Sequence, residues 1–431
     1  MTSQSDQSAR RFVLHVDYGD QLLLSKEQGD YYGRLRMAKL FERAVGSGIT
    51  DIFWRVSMIG AANWPSKVRY QLHDPRASQI ALNEPSVHPF TTIGEQYEQV
   101  LKEGDPLGMA AELAHENGLR FYAYVTLFDE SYPGAESRYI KENPQHCWQH
   151  RYLAHKTIPG LLSYAEPQVV EYRLAELTEL LGYNIDGIYY DTARTHCGVW
   201  DIYPVPFGNY SPYWSYGFNP LECAAFESQY GFSPRLNNLA DAVLPEQLAV
   251  IHDGRWDRLR GEYLTAYLAL ASEKIKAANK RLAVGFYTDA DSYLSPAGQR
   301  GRAPMGRFHH DWQTWWEQRL IDELVVVAGD HRRFGTDDWI NHSSAQFAAA
   351  RQEGLAVFLW AGTEHRIDEL PSAVDGTVPL SIGDDRDAFL SKMEQSLQVT
   401  CQQDAEGLFL HEAWDIEQYN YFDTIKRALQ Q

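Results

Sequence analysis

The 431-residue sequence predicts a closed (β/α)₈ TIM barrel, and three observations carry that prediction. Eight short apolar runs alternate with segments of 3.6-residue periodicity, the pattern of strands followed by helices. No GxGxxG follows the first strand, which counts against an open dinucleotide-binding sheet. The long insertions all follow strands, whereas the turns from helix back to strand are mostly short. Strict alternation implies parallel strands with right-handed crossovers, and eight units favour closure over a doubly wound sheet.

Taken in order, strands are expected at 11–17, 50–58, 119–128, 185–191, 282–289, 323–329, 355–361 and 407–412. Helices are expected at about 35–45, 106–117, 167–181, 256–279, 311–320, 337–352 and 386–402, with a last one at 421–429. Asp105-Pro106 supplies an N-cap and a proline at the first helical position, and Glu166-Pro167 repeats the proline signal. Gly118 and Gly354 stand where a helix must end before a strand. Residues 1–431 read as one barrel domain with insertions at 60–104, 129–165 and 192–248, after strands 2, 3 and 4. That is the face on which barrel enzymes build their sites.

A hydrophobic share of 44% is enough for a sizeable core, and no apolar run approaches the length of a membrane span. The first ten residues are polar and lack the apolar centre of a signal peptide. The expectation is a soluble, cytoplasmic protein without a membrane partner; a chain from which an export signal had been removed would read the same. A formal net charge of −19 argues against nucleic acid as a partner. It also makes a strongly anionic polysaccharide a second choice, because a local arginine patch would have to overcome the overall field. Cys147, Cys197, Cys223 and Cys401 are scattered and form no CxxC pair, so they read as isolated thiols. Aromatic residues make up 13% of the chain, and their flat faces suit sugar rings as well as a core.

Period-two alternation turns one set of side chains into the barrel. Strand 1 contributes Val13, His15 and Asp17, and strand 2 contributes Phe53, Arg55 and Ser57. Strand 3 adds Tyr122, Tyr124 and Thr126; strand 4 adds Gly187, Tyr189 and Asp191; strand 5 adds Gly285, Tyr287 and Asp289. Strands 6 to 8 show no clean phase. The inward set becomes polar towards each C-terminal end. A barrel filled for stability alone carries mostly Val, Ile and Leu, since burying carboxylates and a guanidinium is costly unless they are paired or wet. An ion-pair network around Arg55 would account for this set, as would a functional cleft; the pattern favours the cleft.

The most specific segment is 182–191, GYNIDGIYYD. Its Asp186-Gly187-Ile188-Tyr189-Tyr190-Asp191 run resembles the fourth-strand signature of several glycoside hydrolase barrels, and bacterial glycosyl-hydrolase-like families look closest. In those families a long helix starting at a proline leads into this strand, as Pro167 does here. The stretch 311–327, DWQTWWEQRLIDELVVV, is similar to their helix into strand 6. The resemblance implies a retaining glycosidase with Asp191 as nucleophile, a carbohydrate substrate and no cofactor. For the general acid, Asp330 matches the layout of α-galactosidase-like barrels. Asp289 matches that of α-amylases, which carry Glu there. Glu412 ranks third.

Expected substrate contacts are His15, Asp17, Arg55, Tyr124, Tyr189, Arg194, Tyr287, Trp360, Glu364 and Trp414. The aromatic loop 198–218 offers further rings, which could stack on sugars or on one another, and such exposed loops would allow a homodimer. Two rival readings remain. A metal-dependent hydrolase would use His15 and Asp17, with His309 and His310 in support. However, strand 1 carries no HxH and Asp311 is placed to cap a helix, so no metal is expected. The other rival is a carbohydrate-binding barrel without catalysis.

Overall fold

The computed structural model describes residues 10–17, 33–58, 60–74, 76, 93–132, 135–192, 216–235, 254–287, 310–327 and 347–362, and most of 390–429. Eight parallel strands close into a barrel: β1 (Arg11–Val16), β2 (Asp51–Arg55), β3 (Arg120–Thr126), β4 (Gly187–Asp191), β5 (Arg281–Tyr287), β6 (Glu323–Val327), β7 (Ala356–Gly362) and β8 (Gly407–His411). Each strand pairs with its sequence neighbours, and β8 returns to β1. Each also falls on one predicted run. The second predicted run extends beyond the strand. The barrel strand stops at Arg55, and Ser57–Met58 turns away to pair antiparallel with Ala61–Ala62.

The parallel register carries one inward phase around the cylinder. His15 pairs with Phe53, Arg55 with Tyr124, Tyr124 with Tyr189, and Asp191 with both Thr126 and Gly285. It also resolves the strands whose phase the sequence hid: Val325 pairs with Gly285 and Phe358, and Trp360 pairs with Phe409. The interior is therefore layered. At the N-terminal end, Arg11 donates to Asp51 (2.5 Å) and Glu323 (2.6 Å), and Arg281 also meets Glu323 (2.6 Å). Above this lies an aromatic layer in which Phe53 packs on Tyr122 (4.6 Å between centroids), Tyr189 (5.0 Å) and Phe409 (5.5 Å).

Helices form the jacket. The Asp105 carboxylate caps α2 (Pro106–Glu116), accepting from the amides of Leu107 (3.0 Å) and Gly108 (3.4 Å). Gly118, at φ +74°, ends that turn as the sequence predicted. In chain order, α1 (Arg34–Gly46), α2, α3 (Pro167–Leu181) and α4 (Arg255–Ala277) match their expected ranges closely. The fifth, α5 (Trp312–Glu317), is shorter than predicted; Asp311 caps it and Arg319, at φ +55°, ends it.

The insertions after β2 and β3 carry small sheets of their own, and the described part of the one after β4 carries a helix, Pro220–Tyr230. That helix builds a second apolar cluster of Phe218, Cys223, Phe226, Trp256 and Leu259. Among the described residues, no helix is long and apolar enough to cross a membrane.

Candidate active site

Asp191 is the last residue of β4, at the C-terminal mouth of the barrel, and it is fully buried. The glycine at position 187 of this strand makes room for the Tyr122 ring of β3: a Cβ there would lie 2.3 Å from that ring. Tyr124, one strand over, donates its hydroxyl to Asp191 Oδ2 at 2.5 Å. A short bond to a charged acceptor fixes the carboxylate direction.

The Tyr124 ring is in turn held by Arg55, whose guanidinium carbon lies 5.4 Å from the ring centroid. Arg55 donates Nη1 to both oxygens of Asp17 (3.0 and 2.9 Å), Nη2 to Asp129 (2.6 Å) and Nε to the Ser57 carbonyl (3.2 Å). Asp17 and Arg55, both expected to touch substrate, are thus bonded to each other, and Asp17 faces a fixed cation that would oppose a metal ion.

Asp129 was missed by sequence reading, and so was the scaffold behind it. Neighbouring Glu130 is buried, accepts from Arg69 (2.6 Å) and Tyr172 (2.8 Å), and forms an ion pair with Arg173 (2.8 Å). Burial alone would push its carboxyl up, yet Arg173 and Arg69 together hold it below the usual range. Glu176 closes the ring through Arg69 (2.6 Å) and Arg173 (3.1 Å). This network joins the insertions after β2 and β3 to α3. The one sequence signal was an Asp-Glu pair directly after a strand.

The remaining expected residues separate into two groups. His15, Tyr189 and Trp360 belong to the aromatic layer. His15 lies 4.8 Å from Tyr124, 5.6 Å from Phe409 and 6.5 Å from Trp360, and all three are buried. They support Tyr124 from below. Asp289, Asp330, Glu412, Arg194 and Glu364 lie outside the described residues, as do the side chains of Tyr287 and Trp414. Most of loop 198–218 lies there too; its described end, Tyr216 to Phe218, is buried. Among the described residues, no three His, Cys, Asp or Glu side chains gather as a metal cluster.

A family model described as "Glycosyl hydrolase-like 10" matches residues 81–366, more than half of the sequence. The chain belongs to this glycosyl hydrolase-like family. The matched span contains Tyr124, Asp129 and Asp191 but not β1 or Arg55. Among solved structures, the fold is similar to the PgaB (BpsB) glycoside hydrolase domain from Bordetella bronchiseptica. That match has 13% identity and a TM-score of 0.54, over 97% of this chain and 98% of that one. It is also similar to alpha-L-fucosidase isoenzyme 2 from Paenibacillus thiaminolyticus, with 12% identity and a TM-score of 0.50, over 98% of this chain and 49% of that one. At such identities the likeness is one of fold. No curated protein matches the sequence.

Proposed function

We propose that the protein is a glycoside hydrolase that cleaves a neutral or modestly charged oligo- or polysaccharide, with Asp191 as its nucleophile. The observation that carries this reading is a buried carboxylate at the C-terminal end of β4, oriented by the Tyr124 hydroxyl, in a chain of a glycosyl hydrolase-like family.

In the retaining course, an Asp191 oxygen attacks the anomeric carbon as the bond to the leaving oxygen breaks. A second carboxylic acid, drawn from Asp330, Asp289 or Glu412, gives that oxygen its proton. The same group, now a carboxylate, then takes a proton from water, which attacks the anomeric carbon and frees Asp191.

Turnover of an oligosaccharide and aryl-glycoside panel tests the proposal. Asp191→Asn is expected to lose at least about a thousandfold in kcat with unchanged circular dichroism. Tyr124→Phe, which removes one charge-assisted hydrogen bond, is expected to lose about 10- to 100-fold. Retention of anomeric configuration in the first product supports the glycosyl ester; inversion would make Asp191 a base acting through water. Sugar binding without turnover by the wild type would leave the barrel as a binding protein and sink the hydrolase proposal.

A further inference from the structure

Strand β3 ends on Thr126 as β4 ends on Asp191, and the two residues are register partners. Side chains two apart on a strand share a face. Tyr124, two residues before Thr126, lies inside the barrel: its ring packs on His15 (4.8 Å) and Tyr189 (4.9 Å), and its hydroxyl donates to Asp191. Thr126 therefore points inward one layer above Tyr124, with no later residue of its own strand over it. It stands beside the proposed nucleophile at the mouth.

Thr126 is 1% exposed, and its hydroxyl oxygen has no hydrogen-bond partner among the described residues. Two hydroxyls close by are placed differently. Tyr124 gives its proton to Asp191, and Thr192 donates to the Gly285 carbonyl at 2.5 Å. Nearly all buried polar groups in folded proteins are paired, and a hydroxyl can both donate and accept. A position that served packing alone would suit valine, which has a similar outline and no polar atom to strand. Thr126 is thus a polar group whose partner is missing from the fold, held at the level of the proposed nucleophile.

We propose that the Thr126 hydroxyl is a substrate contact: it hydrogen-bonds a hydroxyl of the sugar ring whose anomeric carbon faces Asp191. Neighbouring strands lie about 4.8 Å apart, close enough for one pyranose to reach both side chains. The fold has already stripped this hydroxyl of water, so a bond to the sugar requires no further dehydration on the protein side. The inference rests on the reading of this mouth as a sugar site, though not on hydrolysis.

Titration calorimetry of the whole chain with galactose, glucose, fucose and N-acetylglucosamine tests it, together with KM for any aryl glycoside turned over. Thr126→Val is expected to weaken binding about tenfold. The same variant should keep or raise the melting temperature, because it removes a buried polar atom that the fold leaves unpaired. Thr126→Ser, which restores the hydroxyl, should bind within about threefold of wild type. Monodeoxy analogues of the best-bound sugar locate the contact: at one ring position, loss of the sugar hydroxyl and Thr126→Val should be non-additive. Wild-type affinity in Thr126→Val overturns the inference. So does a fall in its melting temperature that Thr126→Ser reverses, since the hydroxyl would then serve the fold. Failure of the wild type to bind any sugar removes the inference together with the sugar-site reading. Binding without turnover, weakened by Thr126→Val, would sink hydrolysis alone and support the contact.

Discussion

At position 285 the absence of a side chain is what admits Tyr189 to the barrel interior. A Cβ on Gly285 would lie 2.2 Å from the Tyr189 hydroxyl oxygen and 2.9 Å from the adjoining ring carbon. Neither can retreat far, because the ring packs on Phe53, Tyr124 and Phe409 within 5.5 Å. Gly285→Ala is therefore expected to destabilise the fold by about 1–3 kcal/mol, measured by urea denaturation. Tyr189→Phe removes the nearest clashing atom, so the double variant should lose less than the sum of the singles. Strict additivity would mean that the close approach is not the cause. The same inward phase made much of the site legible: His15, Arg55, Tyr124 and Asp191 all follow from alternation. Asp129 does not, because it lies beyond the end of β3, where alternation stops and only tertiary contact with Arg55 reveals its role.

At the level of elements, what could be read depended on how each strand is exposed. Strands 1 to 5 alternate polar or aromatic with aliphatic residues, so their phase is visible, although the end of the second strand is not. Strand β6, with Leu324, Val325 and Val326 all buried, is apolar on both faces, and its phase came only from register. The helix Pro220–Tyr230 fell within a segment expected to be loop, because its buried residues include Glu222. Glu222 Oε1 lies 3.7 Å from Arg260 Nε, and Arg260 and Ser163 both act to lower its carboxyl. Burial outweighs the pull of Arg260 and Ser163, and the carboxyl is pushed up to about 7. Because the folded value exceeds that of the unfolded chain, folding takes up a proton. The stabilisation is full below the unfolded value and is lost as pH rises through about 7. Stability of the wild type relative to Glu222→Gln should accordingly fall between acid and neutral pH, by an amount on the order of a few kcal/mol, and level off above. Urea midpoints measured across that range would decide it; a difference that does not vary with pH would show that the Glu222 carboxyl titrates alike in the folded and unfolded chain.

For the whole molecule, the barrel separates the residues that close it from those proposed to act. At the N-terminal end, Arg11 of β1, Tyr122 of β3 and Arg281 of β5 converge on Oε1 of Glu323 in β6, at 2.6, 2.9 and 2.6 Å. Arg11 and Arg120 also share Asp51 of β2. Five of the eight strands are tied by this network, in which Arg11 and Tyr122 reach across the cylinder to Glu323 while the other pairs join neighbouring strands. A buried ion pair contributes little against an apolar replacement, but removing one partner strands the other. Glu323→Ala should thus cost about 3–5 kcal/mol in urea denaturation. Replacing Glu323 and Arg11 together by leucine should recover much of that loss. The substitution lies at the first residue of its strand, at the opposite end from Asp191. Turnover per folded molecule should therefore stay within about twofold of wild type wherever the variant remains folded, in keeping with a stability face below and a working face above. A Glu323→Ala variant that kept its stability would make the network incidental to closure. One that stayed folded but lost turnover would show that strain at the barrel floor reaches the Tyr124–Asp191 pair.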